Sequence, residues 1–552
     1  MLPPLAVPPP AVRPPVVPLP PRRPPRHHRL RWTILSITAV IVILLGTGGW
    51  LAYRAISVIN TKKLDGTNAQ VSFFQQLTHI VTANNQPLQG EADDRVNILL
   101  MGYGGPGHDG PYLTDTMIIA SYKPSTKQLA LISIPRDLVV NIPGYYYRKI
   151  NSALTDGMYA NYPGGGEAFA VKVVSDTLDL PIQYYARIDF QGFEQVINLV
   201  GGVDVTVDNS FTDYSFPTDN YGYQTVSFKA GLQHLNGVTA LNFARSRHGN
   251  NGEGSDFARS KRQQKILEAL KQKLLSFGTL SNPKKISDIL GALGSHSQTN
   301  LEVWEILRLA NLLGGISANQ VMNQGLDNTP AGLLRDATGT DGAYILVPRD
   351  GTYGDVQFLA NNIFLIHQAQ AEQAHVMVVN ATNYTGLGQT VTKSLEDFGL
   401  DVVRTVSIKG TTIGQTVTLD AQSGRFASTI DFLNRYKRSQ GSITLDQWQT
   451  QTGDTTLAGL LTEPVPVTTN ANLSQTNTNL ASTTVTPTVV LILGQDQPKT
   501  TTTSLIPVAA TAPKTTTNTT PKSTNTTTST TKKTTTNTNS TMSTNTNSTL
   551  TS

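Results

Sequence analysis

The hydrophobic pattern divides the chain before any residue chemistry is considered. From Trp32 to Tyr53 the sequence WTILSITAVIVILLGTGGWLAY runs for 22 residues without a charge. As a helix rising ~1.5 Å per residue it crosses a ~30 Å hydrocarbon core. Arg13, Arg22, Arg23, Arg26, Arg29 and Arg31 precede it, whereas Arg54 is followed by nothing basic until Lys62. The positive-inside rule therefore places the N-terminus in the cytoplasm and everything after Ala55 outside the cell membrane. The run is too long for a signal peptide, and no small-residue cleavage site follows it cleanly.

Residues 55–93 are polar and weakly periodic, which reads as a stalk. A dense α/β pattern then begins. Val96 to Met101, Thr116 to Tyr122 and Gln128 to Ile134 are short apolar runs with strand character, the last closed by Pro135. Helical spacing follows at Gly166 to Leu178, Phe190 to Leu199 and Phe257 to Phe277, then at 301–316 and Val356 to Ile366. Strands alternating with helices predict an α/β fold with a central mixed sheet flanked by helices over 94–370. A second, smaller α/β unit is expected at 375–497. Its first part reads strand, turn, helix, strand, VVLILGQ at 489–495 returns as a strand, and polar residues 438–486 form an inserted loop.

Composition refines this. Twelve of the 31 prolines lie in the first 25 residues, and 498–552 is almost wholly Thr, Asn, Ser and Lys, so both ends are expected to be disordered. The chain has no cysteine, which excludes disulfide scaffolds, thiolate zinc sites and cysteine nucleophiles together. The formal charge is +5 and the positive residues are spread between the leader, the tail and the core. No nucleic-acid partner is expected, and the leader is too short and proline-rich to fold into a DNA reader.

The candidate chemistry is cationic. On the helix starting near Ser255, Arg259, Arg262, Gln263, Ile266 and Leu270 keep i, i+3, i+4 spacing, so two arginines share an apolar stripe. An unpaired buried guanidinium costs several kcal/mol, so an anion is expected there, either Asp256 or Glu268 in an ordinary salt bridge or a ligand. Arg245 and Arg247 in LNFARSRHG and Arg136 after LALISIP add to the group, the latter at a strand end where α/β sheets place their sites. Arg forks match phosphate oxygens, and a pyrophosphate fits such a set. Asp115 in LTDTMII and Asp109 in GYGGPGHDG are placed to hold Mg²⁺ beside that anion, Asp115 being equally suited to capping a turn. His108 and His248 read as solvent-facing loop residues.

These motifs, NILLMG, LTDTMIIAS, SIPRD, KINSAL, IDFQGFEQVINLVGGVDV, HLNGVTALNFARSR and DFARSKRQQ, resemble in order the LytR-CpsA-Psr family of cell-wall glycopolymer ligases over about 95–275. The unit at 375–497 resembles the LytR-type C-terminal domain attached to such proteins, through VVNATNYTGLG and VVLILGQ. The resemblance implies a membrane phosphotransferase that moves a glycan from a polyprenyl pyrophosphate carrier to peptidoglycan through a phosphodiester, with lipid pyrophosphatase as a side activity. It implies that Arg136, Arg245, Arg247, Arg259 and Gln263 contact the pyrophosphate with Arg262 beside them. It implies also that Arg136 and Asp115 are catalytic and that Asp115 ligates Mg²⁺. The family's other acidic ligand falls near Gly104, and Asp109 is the candidate substitute. The implied lipid pocket draws on Phe169, Val173, Val174, Leu178, Phe190, Phe193 and Val196, all of which equally suit a core. The competing function is a non-enzymatic anchor protein whose arginines grip wall polyanions.

Overall fold

The computed structural model describes residues 86–108, 110–218, 222–275, 294, 296–329, 332–408, 413–439, 441–453, 455–466 and 484–497. The expected membrane span, Asp109 and the Thr-rich tail lie outside the described residues. Among the described residues no helix is long and apolar enough to cross a membrane.

The first sheet is built from β1 (Val96–Tyr103), β2 (Thr114–Lys123) and β3 (Gln128–Ile134), a side hairpin β4 (Val139–Ile142) and β5 (Tyr146–Lys149) following at once. Helices α1 (Ala153–Tyr159) and α2 (Gly165–Leu178) lead to β6 (Tyr184–Asp189) and α3 (Phe190–Leu199). Two antiparallel hairpin layers come next, from β7 (Val203–Val207), β8 (Phe211–Pro217), β9 (Tyr223–Phe228) and β10 (Gly231–Leu235), then α4 (Gly237–Arg245) and the long α5 (Asp256–Leu275). Strand β11 (Ser297–Thr299), helix α6 (Val303–Gly314) and strand β12 (Val321–Gly325) complete a six-stranded sheet ordered β11-β6-β1-β2-β3-β12.

This sheet is mixed. β1 runs parallel to β6 and antiparallel to β2, and β2 is antiparallel to β3. Consequently β1, β3 and β6 end, and β2 begins, at the same edge, with Tyr103 registered against both Thr114 and Asp189. Strand parity then sends alternate residues to opposite layers. Leu99, Met101, Ile119 and Ile132 pack with Phe169, Val173, Val174 and Leu178 of α2, whereas Ile98, Leu100, Ile118 and Leu131 turn toward α6. Each buried aliphatic or aromatic side chain contributes ~1.5–3 kcal/mol, so both faces of the sheet are stabilised. The close crossing of α1 and α2 needs a glycine at 157, since a Cβ there would lie 2.4 Å from Phe169 Cβ.

The expected stalk differs at its end. Leu88 is buried, the amide of Gln89 donates to Tyr184 Oη at 2.9 Å, and Glu91 pairs with Arg308 at 2.8 Å, so residues 86–93 pack on the body. The hairpin β13 (Leu334–Thr338) and β14 (Tyr344–Pro348) precedes α7 (Gly354–Glu372), which packs against α2 on one side. Its other side meets the second unit, where Phe358 joins an edge-to-face cluster with Phe398, Phe432 and Tyr436.

That second unit comprises β15 (His375–Asn380), α8 (Leu387–Asp397), β16 (Asp401–Ser407), β17 (Val417–Asp420), α9 (Ala427–Tyr436), β18 (Ser442–Ile443), α10 (Leu445–Thr452), α11 (Thr456–Thr462) and β19 (Val489–Leu493). Its sheet is ordered β16-β15-β19-β17-β18. The stretch 438–486, read as an inserted loop, is corrected in part. Its described residues include β18, α10 and α11, with Trp448 and Leu457 buried against the sheet, and a capping box at Thr444 and Gln447 starts α10. Polar composition hid an element held by few apolar anchors.

Candidate functional site

The site forms at the sheet edge where β1, β3 and β6 end. Asp115 enters β2 there, and Thr114, fully buried, donates through Oγ1 to the carbonyl of Asn151 at 3.3 Å. Thr155 Oγ1 reaches the Tyr112 carbonyl at 3.1 Å, so α1 fixes the loop that carries Asp115. Arg136, just beyond β3, donates from Nη1 to Asp115 Oδ1 at 2.6 Å, and its Nε lies 3.4 Å from Asp137 Oδ2. Asp137 is held in turn by Lys149 Nζ at 2.6 Å.

The other cations arrive from α4 and α5. Ser255 caps α5 by accepting from the Ala258 amide at 3.0 Å, and Gln264 Nε2 ties the helix to Ser133 Oγ of β3 at 2.9 Å. With α5 so placed, Arg259 Nη2 donates to the Asp115 carbonyl at 3.3 Å and Gln263 Nε2 to the Ala244 carbonyl at 3.2 Å. Arg245 ends α4, with its guanidinium carbon 4.3 Å from the Phe190 ring centroid and 5.3 Å from that of Phe216. The following loop is anchored by Asp213, whose Oδ2 accepts from Ser246 Oγ at 2.7 Å and from the amides of Arg247 and His248 at 3.2 and 3.1 Å. Burial pushes the Asp213 carboxyl up, but these hydrogen bonds outweigh it and hold it below its ordinary value.

Asp115, Arg136, Arg245, Arg247, Arg259 and Gln263 all line one cavity of about 490 Å³. The rest of its lining is largely apolar, including Leu100 and Ile118 of the sheet, Phe190, Phe193 and Val196 of α3, Leu241 of α4, and Ile266, Leu267 and Leu270 of α5. Arg259 and Leu270 are separated by about 16 Å along the helix axis at ~1.5 Å per residue, so the cavity is cationic at the start of α5 and apolar further along it.

Three expectations are corrected. Arg262 is not on this cavity. It is 3% exposed and turned the other way, with Nε donating to the Phe243 carbonyl at 2.9 Å and Nη1 to Glu253 Oε2 at 2.5 Å. Nη2 donates to the Ser246 carbonyl, and the guanidinium lies over Phe211, so Arg262 holds the arginine-bearing loop in place. Burial lowers its pKa against the opposing pull of Glu253. Phe169 and Val173, and with them Val174 and Leu178, lie in the core on the α2 face of the sheet, away from the cavity lining. At Gly104, where the family's other acidic ligand would fall, a Cβ would meet His108 Cβ at 2.9 Å, and Asp109, the substitute named from the sequence, lies outside the described residues. His108 is not a bare loop residue either, since its ring meets Phe190 edge-on at 5.1 Å. His248 is exposed, as expected.

The sequence reading missed Arg187 and Asp189, which also line the cavity. Arg187 pairs with buried Glu167 at 2.9 Å, and Asp189 caps α3 by accepting from the Gly192 amide at 2.8 Å while holding His296 Nδ1 at 3.0 Å. The IDF sequence at the start of α3 was the available signal for Asp189. Among the described residues no group of three or more His, Cys, Asp or Glu side chains is arranged to hold a metal ion. Asp115, with a side chain 39% exposed, presents its carboxylate at the cavity, and its Oδ1 is taken by Arg136 Nη1.

The chain is 31% identical over 302 residues to the polyisoprenyl-teichoic acid–peptidoglycan teichoic acid transferase TagV of Bacillus subtilis strain 168, covering 53% of this chain and 69% of the relative. It is 33% identical over 261 residues to the corresponding transferase TagU of Oceanobacillus iheyensis, covering 45% and 76%. The crystal structure of B. subtilis TagV aligns with a TM-score of 0.39 at 29% identity over 49% of this chain and 96% of that one. The profile of the LytR_cpsA_psr family matches residues 57–356, more than half of the sequence, and the chain therefore belongs to the LytR_cpsA_psr family.

Proposed function

We propose that this protein is a membrane-anchored phosphotransferase that takes a glycan from a polyprenyl pyrophosphate carrier and joins it to peptidoglycan. The observation that carries the reading is the single cavity, cationic at one end and apolar along the rest, which suits an amphiphile with a diphosphate head. Arg245, Arg247, Arg259 and Gln263 bind the diphosphate, and Arg136 acts where charge develops on the departing lipid phosphate. A hydroxyl oxygen of the acceptor attacks the phosphorus that bears the glycan. The bridging bond to the lipid phosphate breaks, and polyprenyl monophosphate leaves. With water in place of the acceptor the same step is a lipid pyrophosphatase reaction.

Asp115 holds Mg²⁺ in this reading and is the candidate to receive the acceptor's proton. The cation, when bound, neutralises charge on the diphosphate oxygens. Asp109 is the proposed second ligand. The uncharged run at 32–53 supplies the membrane anchor, so the catalytic domain faces outward, and the relatives named as teichoic acid transferases support a glycopolymer as the cargo. A polyanion-gripping anchor protein would need the charges but not the apolar depth beside them.

The test is to incubate full-length protein in detergent with Mg²⁺ and a short synthetic polyprenyl-pyrophosphate glycan plus peptidoglycan fragments. Release of lipid monophosphate with glycan attachment is expected. Salt-sensitive binding of polyanions with no lipid turnover overturns the reading.

A further inference from the structure

Phe190 occupies a place that lipid packing alone does not account for. It is the first residue of α3, and its helix is fixed by the Asp189 cap. Its ring face receives the Arg245 guanidinium at 4.3 Å, and His108 meets the same ring edge-on at 5.1 Å. Phe216, 1% exposed, presents a second ring to the same guanidinium at 5.3 Å. A long arginine side chain at a helix end has many rotamers, and a diphosphate needs one of them. Rings set against the face of the guanidinium restrict that choice, and the in-plane N–H directions point clear of the rings.

We propose that Phe190 and Phe216 form an aromatic clamp that orients Arg245 toward the phosphate groups, making Phe190 a positioning residue for diphosphate recognition. The proposal rests on the reading that the cavity takes a lipid diphosphate. It separates from a simple lipid-wall role because inorganic pyrophosphate has no chain to touch such a wall.

Binding of inorganic pyrophosphate and of geranylgeranyl pyrophosphate to the full-length protein, at constant Mg²⁺, is the measurement. Phe190→Leu keeps an apolar side chain but loses the π face, and is expected to weaken both probes by about tenfold. Phe190→Tyr recovers most of that loss. Arg245→Lys keeps the charge without the planar fork and shows a similar loss. In the double variant Phe190→Leu with Arg245→Lys, the losses are expected to be far from additive. A Phe190→Leu protein that binds inorganic pyrophosphate like the wild type while losing only the isoprenoid probe overturns the clamp, as do additive losses in the double variant. Wild-type protein that binds neither probe overturns the underlying cavity reading and the clamp with it.

Discussion

Arg259 Nη2 donates to the backbone carbonyl of Asp115 at 3.3 Å, across 144 positions of sequence. Because the same Asp115 takes Arg136 on its carboxylate, one residue at the start of β2 sets the relation between the end of β3 and the first turn of α5. The cationic end of the cavity is thus braced before any ligand arrives, which is the preorganisation that charge stabilisation requires.

Arg136→Ala is expected to lower lipid monophosphate release by roughly 10²–10³-fold, the range seen when one group that stabilises transition-state charge is removed. Arg136→Lys, which keeps the charge but not the bidentate fork, falls between the two. Turnover of the synthetic lipid-linked glycan checks this, and an Ala variant as fast as wild type counts against the assignment.

Arg262 and Arg247 differ in what they support. Arg262→Met breaks a buried pair and strands the Phe243 and Ser246 carbonyls, so a loss of ~3–5 kcal/mol in urea unfolding is expected. Arg247→Ala, at a half-buried loop position, is expected to change stability by less than ~1 kcal/mol while turnover falls sharply. Equal stability losses in the two would refute the distinction.

Asp213→Asn tests the loop anchor through pH. The wild-type carboxyl is held below its ordinary value, so its contribution is complete above the unfolded value of ~3.9 and is lost as pH falls through the lower folded value. The stability gap between wild type and variant is therefore expected to be flat from pH 7 to 5 and to shrink below about pH 4. Urea midpoints at pH 7, 5 and 3 check it.

Gly104→Asp alone is expected to fail to improve cation binding, because its Cβ would meet His108 at 2.9 Å. Combined with His108→Gly, which removes the obstructing Cβ, the new carboxylate has room at the end of β1. Calorimetric titration with Mn²⁺ in the presence of inorganic pyrophosphate should then show tighter binding by on the order of tenfold for the double variant.

The cationic group was legible because Arg136, Arg245, Arg247, Arg259 and Gln263 sit in ordered motifs at a strand end and on one helical face. Arg262 misled because it belongs to the same motif, yet it lies about 100° round the helix from Gln263 and is drawn off the cavity by Glu253 and the Phe243 and Ser246 carbonyls. Its partners are mostly main-chain carbonyls, which no side-chain pattern records. Phe169 and Val173 misled for a different reason. Helix α2 is buried over most of its length, and its spacing does not say which side of the sheet it covers. Tyr184 to Asp189 went unread as a strand because Arg187 and Asp189 interrupt its apolar run, although it lies beside the central β1.

Strand β19 lies between β15 and β17, pairing with both, although it is the last described strand of the chain. During synthesis β15 pairs early with β16 but must wait for more than a hundred residues before its second neighbour emerges. A protein terminated ahead of Val489 would leave two half-sheets with open edges, whereas the described anchorage ends with Asp496, bonded to Thr416, and with Gln497, whose Nε2 reaches Thr416 and the Lys437 carbonyl. Shortening from the C-terminus that reaches into that anchorage should accordingly be ruinous, because β15 and β17 would both lose the strand between them.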